Sequence, residues 1–245
     1  MELTEQKELM HLEAQNSMQL LTNYYNWSLM YLDTTNNKNI WDAGAGVGLL
    51  AEQLVNRANT LLLTEYSDTN ISILTQKFKN LQKVTVQKCD LTNASVADFS
   101  NNVVDTIINL DVIEHLKDDE YALKLFYNVL QPNGKLILKT PAHNSLFCDI
   151  DRASNHYRRY SKKELKQKLE KAGFKVLKIS YMNMIGAVMY FLKGKILKKK
   201  NNFSNTFSHK NLQRTNKLIP FLRAFEKIFP VFFGLSVVVM AQKQL

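Results

Sequence analysis

The chain has 245 residues, 45% of them hydrophobic and 22% charged, a composition that excludes disordered and fibrous classes and suits one substantial core carrying an insertion. Its two cysteines, Cys89 and Cys148, lie far apart without metal-ligand spacing, which excludes a disulfide framework and a cysteine-bound zinc and suits a reducing, cytoplasmic setting. The net charge of +10 is uneven, with no Asp or Glu between Tyr181 and Phe225, so the C-terminal part is expected to meet an anionic membrane surface, an acidic substrate or nucleic acid.

In chain order, apolar residues recur with helical spacing from Leu3 to Leu32, and "DTTNNKN" then breaks the pattern. This predicts an N-terminal helical lid over 1–37. The first residues, "MELTEQKELMHLEAQNSM", carry acids and amides where a secretory signal needs a basic start and an apolar core, and they are expected to form an ordinary helix. Short apolar runs then alternate with amphipathic stretches: "NIWDA", "TLLLTE", "KVTVQKCD", "VVDTIINL", "GKLILKTP", "FKVLKISY" and "LSVVVMAQK". Helices are expected to start near Val47, Ser67, Asp118 and Ser161, with Ser67 and Ser161 as N-caps.

This order predicts an α/β fold: a Rossmann-like, seven-stranded, mostly parallel sheet with helices on both faces and ligands at the carboxyl ends of the strands. The core spans 38–181, a basic and aromatic insertion spans 182–234, and the final strand falls within 235–245. Two apolar stretches, "MIGAVMYFL" and "IFPVFFGLSVVVM", do not suit a bilayer span of about 20 residues, since the first is short and the second contains Pro230. The lysines flanking these short apolar segments suit a surface helix on an anionic bilayer, so a peripheral position at the inner membrane face and a lipid-linked acceptor are expected.

After the first strand stands "DAGAGVG": Asp42 followed by Gly44, Gly46 and Gly48. A nicotinamide loop, G-x-G-x-x-G, would need glycine where Leu49 stands, and the Gly-Lys-Ser/Thr of a P-loop is absent. Glycine brings backbone close to a ligand, but Asp42 would repel a pyrophosphate while suiting an ammonium or sulfonium. Glu65 follows the second strand, where a carboxylate accepts from both ribose hydroxyls. Asp90 follows the third, placed to accept from an adenine amino group, with Leu91 offering its backbone amide. One loop and two acids describe an adenosine with a positively charged tail.

These residues, together with "INLDVIEHL" and "LQPNGKLILKTP", resemble the class I S-adenosylmethionine-dependent methyltransferases from about Lys38 to Tyr181. The resemblance implies that Asp42 and the glycines hold the methionine end, Glu65 the ribose, Asp90 and Leu91 the adenine, and that Asn109 and Leu110 wall the sulfonium. Methyl transfer to a small-molecule, glycan or lipid-linked acceptor is expected, with a hydroxyl as the favoured target and oxygen, nitrogen and carbon all left open as the acceptor atom.

A hydroxyl acceptor needs a base, and His115, His143 and His156 are the candidates at the carboxyl edge. The segment "DIDRASNHYRRYS" resembles a D-x-x-x-x-H-x-R-R-Y-S/T pattern of methyltransferase-domain proteins among bacterial glycan- and lipid-modifying enzymes. In it Asp151 is expected to orient His156, and Arg158, Arg159 and Tyr160 to contact the acceptor. Tyr24, with Tyr25 and Trp27, is expected to close over the site. Asp111, Glu114 and His115 form an alternative divalent-metal set, but the reading adopted is a metal-free junction. Nucleic acid is the rival partner, because the same lysines could track phosphates with Phe203 and Phe207 as stacking faces. Against it, "NLDV" stands where an N/D-P-P-Y/F motif would be, and Pro-Cys is absent. A ribose or tRNA target stays open, as does a non-catalytic S-adenosylmethionine-binding module on a membrane surface.

Overall fold

The computed structural model describes residues 21–29, 38–192, 209–228 and 231–244. Seven strands form one sheet: β1 (Lys38–Ala43), β2 (Ala58–Glu65), β3 (Val84–Lys88), β4 (Thr106–Leu110), β5 (Lys135–Pro141), β6 (Phe174–Met182) and β7 (Ser236–Lys243). Their spatial order is β3-β2-β1-β4-β5-β7-β6. The pairs from β3 through to β5 are parallel, while β7 lies antiparallel between β5 and β6. Sequence order thus reverses direction between β1 and β4, where the loops diverge and leave a crevice at the carboxyl edge.

Successive residues of these apolar strands point to opposite faces, which sorts the core. Trp41, Ala43, Leu62, Ile107, Leu136 and Leu138 pack on one face, and Ile40, Leu61, Leu63, Ile108 and Ile137 on the other. Trp41 is the largest fully buried side chain; it meets Phe99 at 4.2 Å and Phe126 edge-on at 5.4 Å between ring centroids. Its indole N–H donates to Thr64 Oγ1 over 2.8 Å, so the polar end is satisfied where the ring is dry.

Eight α-helices are described: α1 (Thr22–Ser28), α2 (Leu49–Leu54), α3 (Asp68–Phe78), α4 (Asp119–Val129), α5 (Asp149–Ala153), α6 (Lys162–Ala172), α7 (Met184–Phe191) and α8 (His209–Ile228). The expected caps are present: the Ser67 hydroxyl accepts from Asn70 N at the start of α3, and the Ser161 hydroxyl from Glu164 N at the start of α6. Gly173 closes α6 in the left-handed region, with φ +108°.

Most of the expected lid, and residues 193–208 of the insertion, lie outside the described residues. In the part that is described, α8 packs Leu212 and Ile219 against Leu21, Trp27, Met182 and Val238. Asn23 donates from its backbone and side-chain nitrogens to Asn216, at 2.9 and 3.0 Å, which pins α1 to α8. Trp27 is therefore core, while Tyr24 and Tyr25 turn toward the carboxyl edge of the sheet. Glu226 of α8 accepts from the Asn183 and Met184 amides and so caps α7. No helix among the described residues is long and apolar enough to cross a membrane.

Candidate active site

The glycine loop follows β1 at the crevice. Gly44, Gly46 and Gly48 all have positive φ, at +87°, +55° and +80°, which side chains with a Cβ rarely adopt. A Cβ on Gly44 would lie 2.4 Å from Val112 Cγ2, so the first glycine also lets the loop lie against the β4 junction. Asn109, fully buried, donates from Nδ2 to the Ala43 carbonyl over 2.8 Å and anchors the loop from β4.

Asp42 stands just before this loop at a strand position whose neighbours are apolar, and only 2% of it is exposed. Burial, with the Glu65 carboxylate nearby, pushes its carboxyl up to about 7. Its Oδ2 has no hydrogen-bond partner among the described residues. A buried acceptor without a partner is costly unless something fills the role, and a cationic donor seated in the crevice would do so.

Glu65 at the tip of β2 ties the loop to its own strand: Oε2 accepts from Gly46 N over 2.8 Å, and Oε1 from Tyr66 N and Ser67 N. Asp90 sits one strand further out, where the Glu65 carbonyl accepts from Cys89 N; its Oδ1 accepts from Thr92 N and Thr92 Oγ1. The Leu91 side chain is buried, which leaves its backbone as the part able to meet a ring. Asp42, Glu65 and Asp90 thus occupy three neighbouring strand tips on one edge.

On the other side of the crevice, Leu110 ends β4 half-buried, and Asp111 follows at φ +57°. Its carboxylate pairs with Lys139, a fully buried lysine in β5. The Lys139 ammonium also lies 4.5 Å from the centre of the Tyr24 ring. Tyr24 is further held by a 3.3 Å hydrogen bond between its hydroxyl and Ser236 Oγ. Tyr25 is pushed up to about 12 by burial, with Lys139, Asp111 and Asp42 all close enough to act on it. Tyr24 and Tyr25 therefore lie beside the Asp111–Lys139 pair at the carboxyl ends of β4 and β5. Lys139 carried a signal in the sequence, since a lysine inside an apolar strand must be paired; its partner was not legible.

The "DRASNHYRRYS" segment divides between two buried acids. Asp151, 1% exposed, accepts from Cys148 N, Arg159 Nε (2.7 Å), Tyr190 Oη (2.9 Å) and His156 Nδ1 (3.0 Å). Asp119, at the start of α4, accepts from Tyr160 Oη (2.6 Å) and Lys168 Nζ (2.9 Å) and pairs with Arg158. Arg158 also donates to the Lys117 carbonyl. So Arg159 and Tyr160, expected at the acceptor with Arg158, are turned inward: Tyr160 is fully buried, and the Arg159 guanidinium is spent on Asp151 and the Ala142 carbonyl. Arg159 and Tyr160 brace the loop because a desolvated guanidinium or phenol must find partners close by, while Arg158, its side chain 24% exposed, pairs with Asp119 nearer the surface. Of the segment, His156 stays partly accessible, with its Nδ1 at 3.0 Å from Asp151.

The histidines do not share one environment. His143, at φ +62°, stacks on Tyr181 at 4.5 Å, its Nε2 buried without a hydrogen-bond partner among the described residues. Burial, then the nearby Arg159, lowers its pKa. His115 and His156 meet edge-on at 4.7 Å. The alternative metal set changes membership: Asp111 is drawn to Lys139, while Glu114, His115 and His156 bring one ligand atom each within 4.8 Å of one another.

A family model described as a methyltransferase domain matches residues 26–179, well over half of the chain. A Mycolicibacterium smegmatis protein named "Probable S-adenosylmethionine-dependent methyltransferase" is 27% identical over 141 residues, covering 57% of this chain and 52% of its own. The ubiquinone biosynthesis O-methyltransferase of Rhizobium leguminosarum bv. trifolii is 28% identical over 101 residues, covering 41% of this chain and 39% of its own. The chain thus spans about half the length, or less, of these curated relatives. Among solved structures, the [4+2]-cyclase SpnF superposes with a TM-score of 0.62 at 13% identity, over 91% of this chain and 82% of its own, a likeness of fold alone. Glycine loop, three strand-tip acids and antiparallel β7 accompany a family match across the whole crevice, and the chain belongs to the methyltransferase-domain family.

Proposed function

We propose that this chain binds S-adenosylmethionine in the crevice between β1 and β4 and transfers its methyl group to a hydroxyl of a lipid-linked or other amphiphilic acceptor. The observation that carries the reading is the buried, unpartnered Oδ2 of Asp42 beneath three glycines of positive φ. The residues fit the cofactor. Asp42 and the glycine loop would hold its cationic methionine end, Glu65 the ribose, Asp90 and the Leu91 backbone the adenine, with Leu110 as a wall. When bound, the cofactor supplies an electrophilic methyl on a cationic sulfur. The protein's own part is to align the acceptor, exclude water through Tyr24 and Tyr25, and ease loss of the acceptor's proton beside the β4 junction. The Rhizobium relative is named an O-methyltransferase, which supports oxygen as the acceptor atom.

Fold does not imply function, so binding and turnover need separate tests. Calorimetry with S-adenosylhomocysteine is expected to show one site, and tritium from labelled S-adenosylmethionine is expected to enter a lipid extract. An absence of heat would remove the cofactor; heat without label in lipid, glycan or RNA pools would leave a binding module.

The acceptor class rests on α8. Leu218, Phe221, Phe225 and Ile228 recur at helical spacing on the side away from Leu212 and Ile219, with Phe221 73% and Ile228 76% exposed, and Phe232 follows at 77%. Arg214 and Lys217 fall along this stripe by helical spacing, and Glu226, the one acid after Tyr181, is turned inward onto α7. An apolar stripe among cations with its acid withdrawn suits an anionic lipid surface. Sedimentation with phosphatidylglycerol-containing vesicles, but not with phosphatidylcholine alone, is expected, and Phe221→Ser with Ile228→Ser is expected to reduce the bound fraction at least about 10-fold. Tight RNA binding without vesicle binding would instead favour the nucleic-acid rival.

A further inference from the structure

The cluster at the β4 junction is built in a way that bracing does not explain. Glu114 lies on the turn Ile113–His115, fully buried, and its two oxygens differ. Oε2 accepts from Thr140 Oγ1 over 3.1 Å, while Oε1 has no hydrogen-bond partner among the described residues. His115 is its chain neighbour, and His156 arrives from the loop after α5. Tyr157 N donates to the Glu114 carbonyl over 2.8 Å, and this backbone bond fixes the two segments side by side. The approach of His156 to Glu114 is thus set before any ligand is present.

The ring of His156 is set as well. Asp151 acts as acceptor toward Cys148 N–H, Arg159 Nε–H and Tyr190 O–H, and the same carboxylate meets His156 Nδ1 at 3.0 Å. Nδ1 therefore carries the proton, and the lone pair of Nε2 is left for another bond. A carboxylate on one imidazole nitrogen that fixes the other as ligand is the arrangement around protein-bound metals. Two imidazoles and one carboxylate form a borderline donor set, selective for zinc-like divalent ions over magnesium or calcium.

We propose that Glu114, His115 and His156 form a three-ligand site for a zinc-class divalent cation on the β4–β5 side of the crevice, with coordination positions left open for an acceptor oxygen. The open positions would let the cation polarise an acceptor hydroxyl and ease loss of its proton. Binding of the cation stands on these residues alone; its part in catalysis rests on the methyl-transfer reading above.

The test uses the tag-free full chain, stripped with chelator and titrated with Co2+ alone. Visible absorption saturating at one Co2+ per chain and displaced by Zn2+ is expected, together with a rise in Tm on adding Zn2+. His156→Ala and Glu114→Gln are expected to weaken Co2+ binding by about 100-fold or more, at or beyond the roughly 10–100-fold loss typical of a partner outside the ligand shell; His143→Ala is expected to leave it unchanged. Circular dichroism confirms that each variant is folded, and His115→Asn gives an independent ligand deletion if one is not. Weak binding without one-to-one saturation, or saturation unaffected by all three ligand substitutions, overturns the site. Calorimetry with S-adenosylhomocysteine on the same stripped protein separates the two readings: homocysteine-nucleoside binding without Co2+ binding sinks the metal and leaves the methyltransferase, and the reverse result does the opposite.

Discussion

Replacing Asp42 with asparagine is expected to weaken S-adenosylhomocysteine binding by roughly 30- to 150-fold at pH 8, or about 2–3 kcal/mol for a charge-assisted contact, and by far less at pH 5.5. The asymmetry follows from the carboxyl's position. Burial and the Glu65 carboxylate hold it at about 7, above the ordinary value of roughly 3.9 for an unfolded chain, so at pH 5.5 the free protein carries it neutral, much as asparagine would be. A ligand with an ammonium group favours the ionised form, and the carboxyl must lose its proton on binding. Affinity of the natural chain therefore rises as pH climbs through about 7 and levels off above it. The same shift makes the unliganded fold lose stability as pH rises between the unfolded and folded values, and ligand restores it. Calorimetry in two buffers of different ionisation enthalpy counts the protons: release approaching one per site is expected near pH 6. An affinity flat from pH 5.5 to 8, with Asp42→Asn indistinguishable from the natural chain, would remove the pairing of this carboxylate with a cationic ligand.

The second large effect is expected at Asp151. Asp151→Ala should destabilise the protein by about 3–5 kcal/mol in urea unfolding, because it strands a buried guanidinium. Arg159 is 3% exposed, and among the described residues its guanidinium donates to the Ala142 carbonyl besides Asp151 and lies 4.4 Å from the Tyr190 ring centre, where water has little access. Asp151→Asn combined with Arg159→Met should be less damaging than Asp151→Ala, since the double change removes both charges together. The pair Arg152–Asp149, one turn away, has side chains 64% and 98% exposed, and its removal should leave the unfolding curve unchanged. A loss below about 0.5 kcal/mol for Asp151→Ala, the scale of an ordinary surface change, would mean that the carboxylate does not organise this loop. His156 lies on the same hub, so the variant should also lose the orientation of its ring, read as a change in the imidazole resonances.

Much of the molecule was legible before any coordinates. Short apolar runs rich in branched residues placed all seven strands, since strands covered on both faces are apolar throughout. Ser67 and Ser161 marked helix starts because a hydroxyl there meets an amide that the helix itself cannot satisfy. The D-x-G-x-G-x-G pattern located the loop, because three positive φ values in alternate positions admit little but glycine. Each of these rests on a requirement within a few residues of chain.

The partners of the polar side chains were not legible in the same way. The sequence suggested that Arg158, Arg159 and Tyr160 face an acceptor, because arginines and a tyrosine on a loop suit a ligand as well as they suit a brace. The packed structure brings Asp151 to Arg159 and Asp119 to Tyr160 in dry surroundings, which supports a brace for these two, and pairs the partly exposed Arg158 with Asp119. The sequence likewise grouped Asp111 with Glu114 and His115 by proximity along the chain, whereas β5 carries Lys139 to Asp111 and the loop after α5 carries His156 to Glu114. By itself, then, the sequence determined the sheet, the glycine loop and the acids at the strand tips, all set by local periodicity and backbone conformation. Tertiary structure decided which charges are spent inside the protein and which are left for a ligand, because that depends on strand order and on water exclusion by segments distant along the chain.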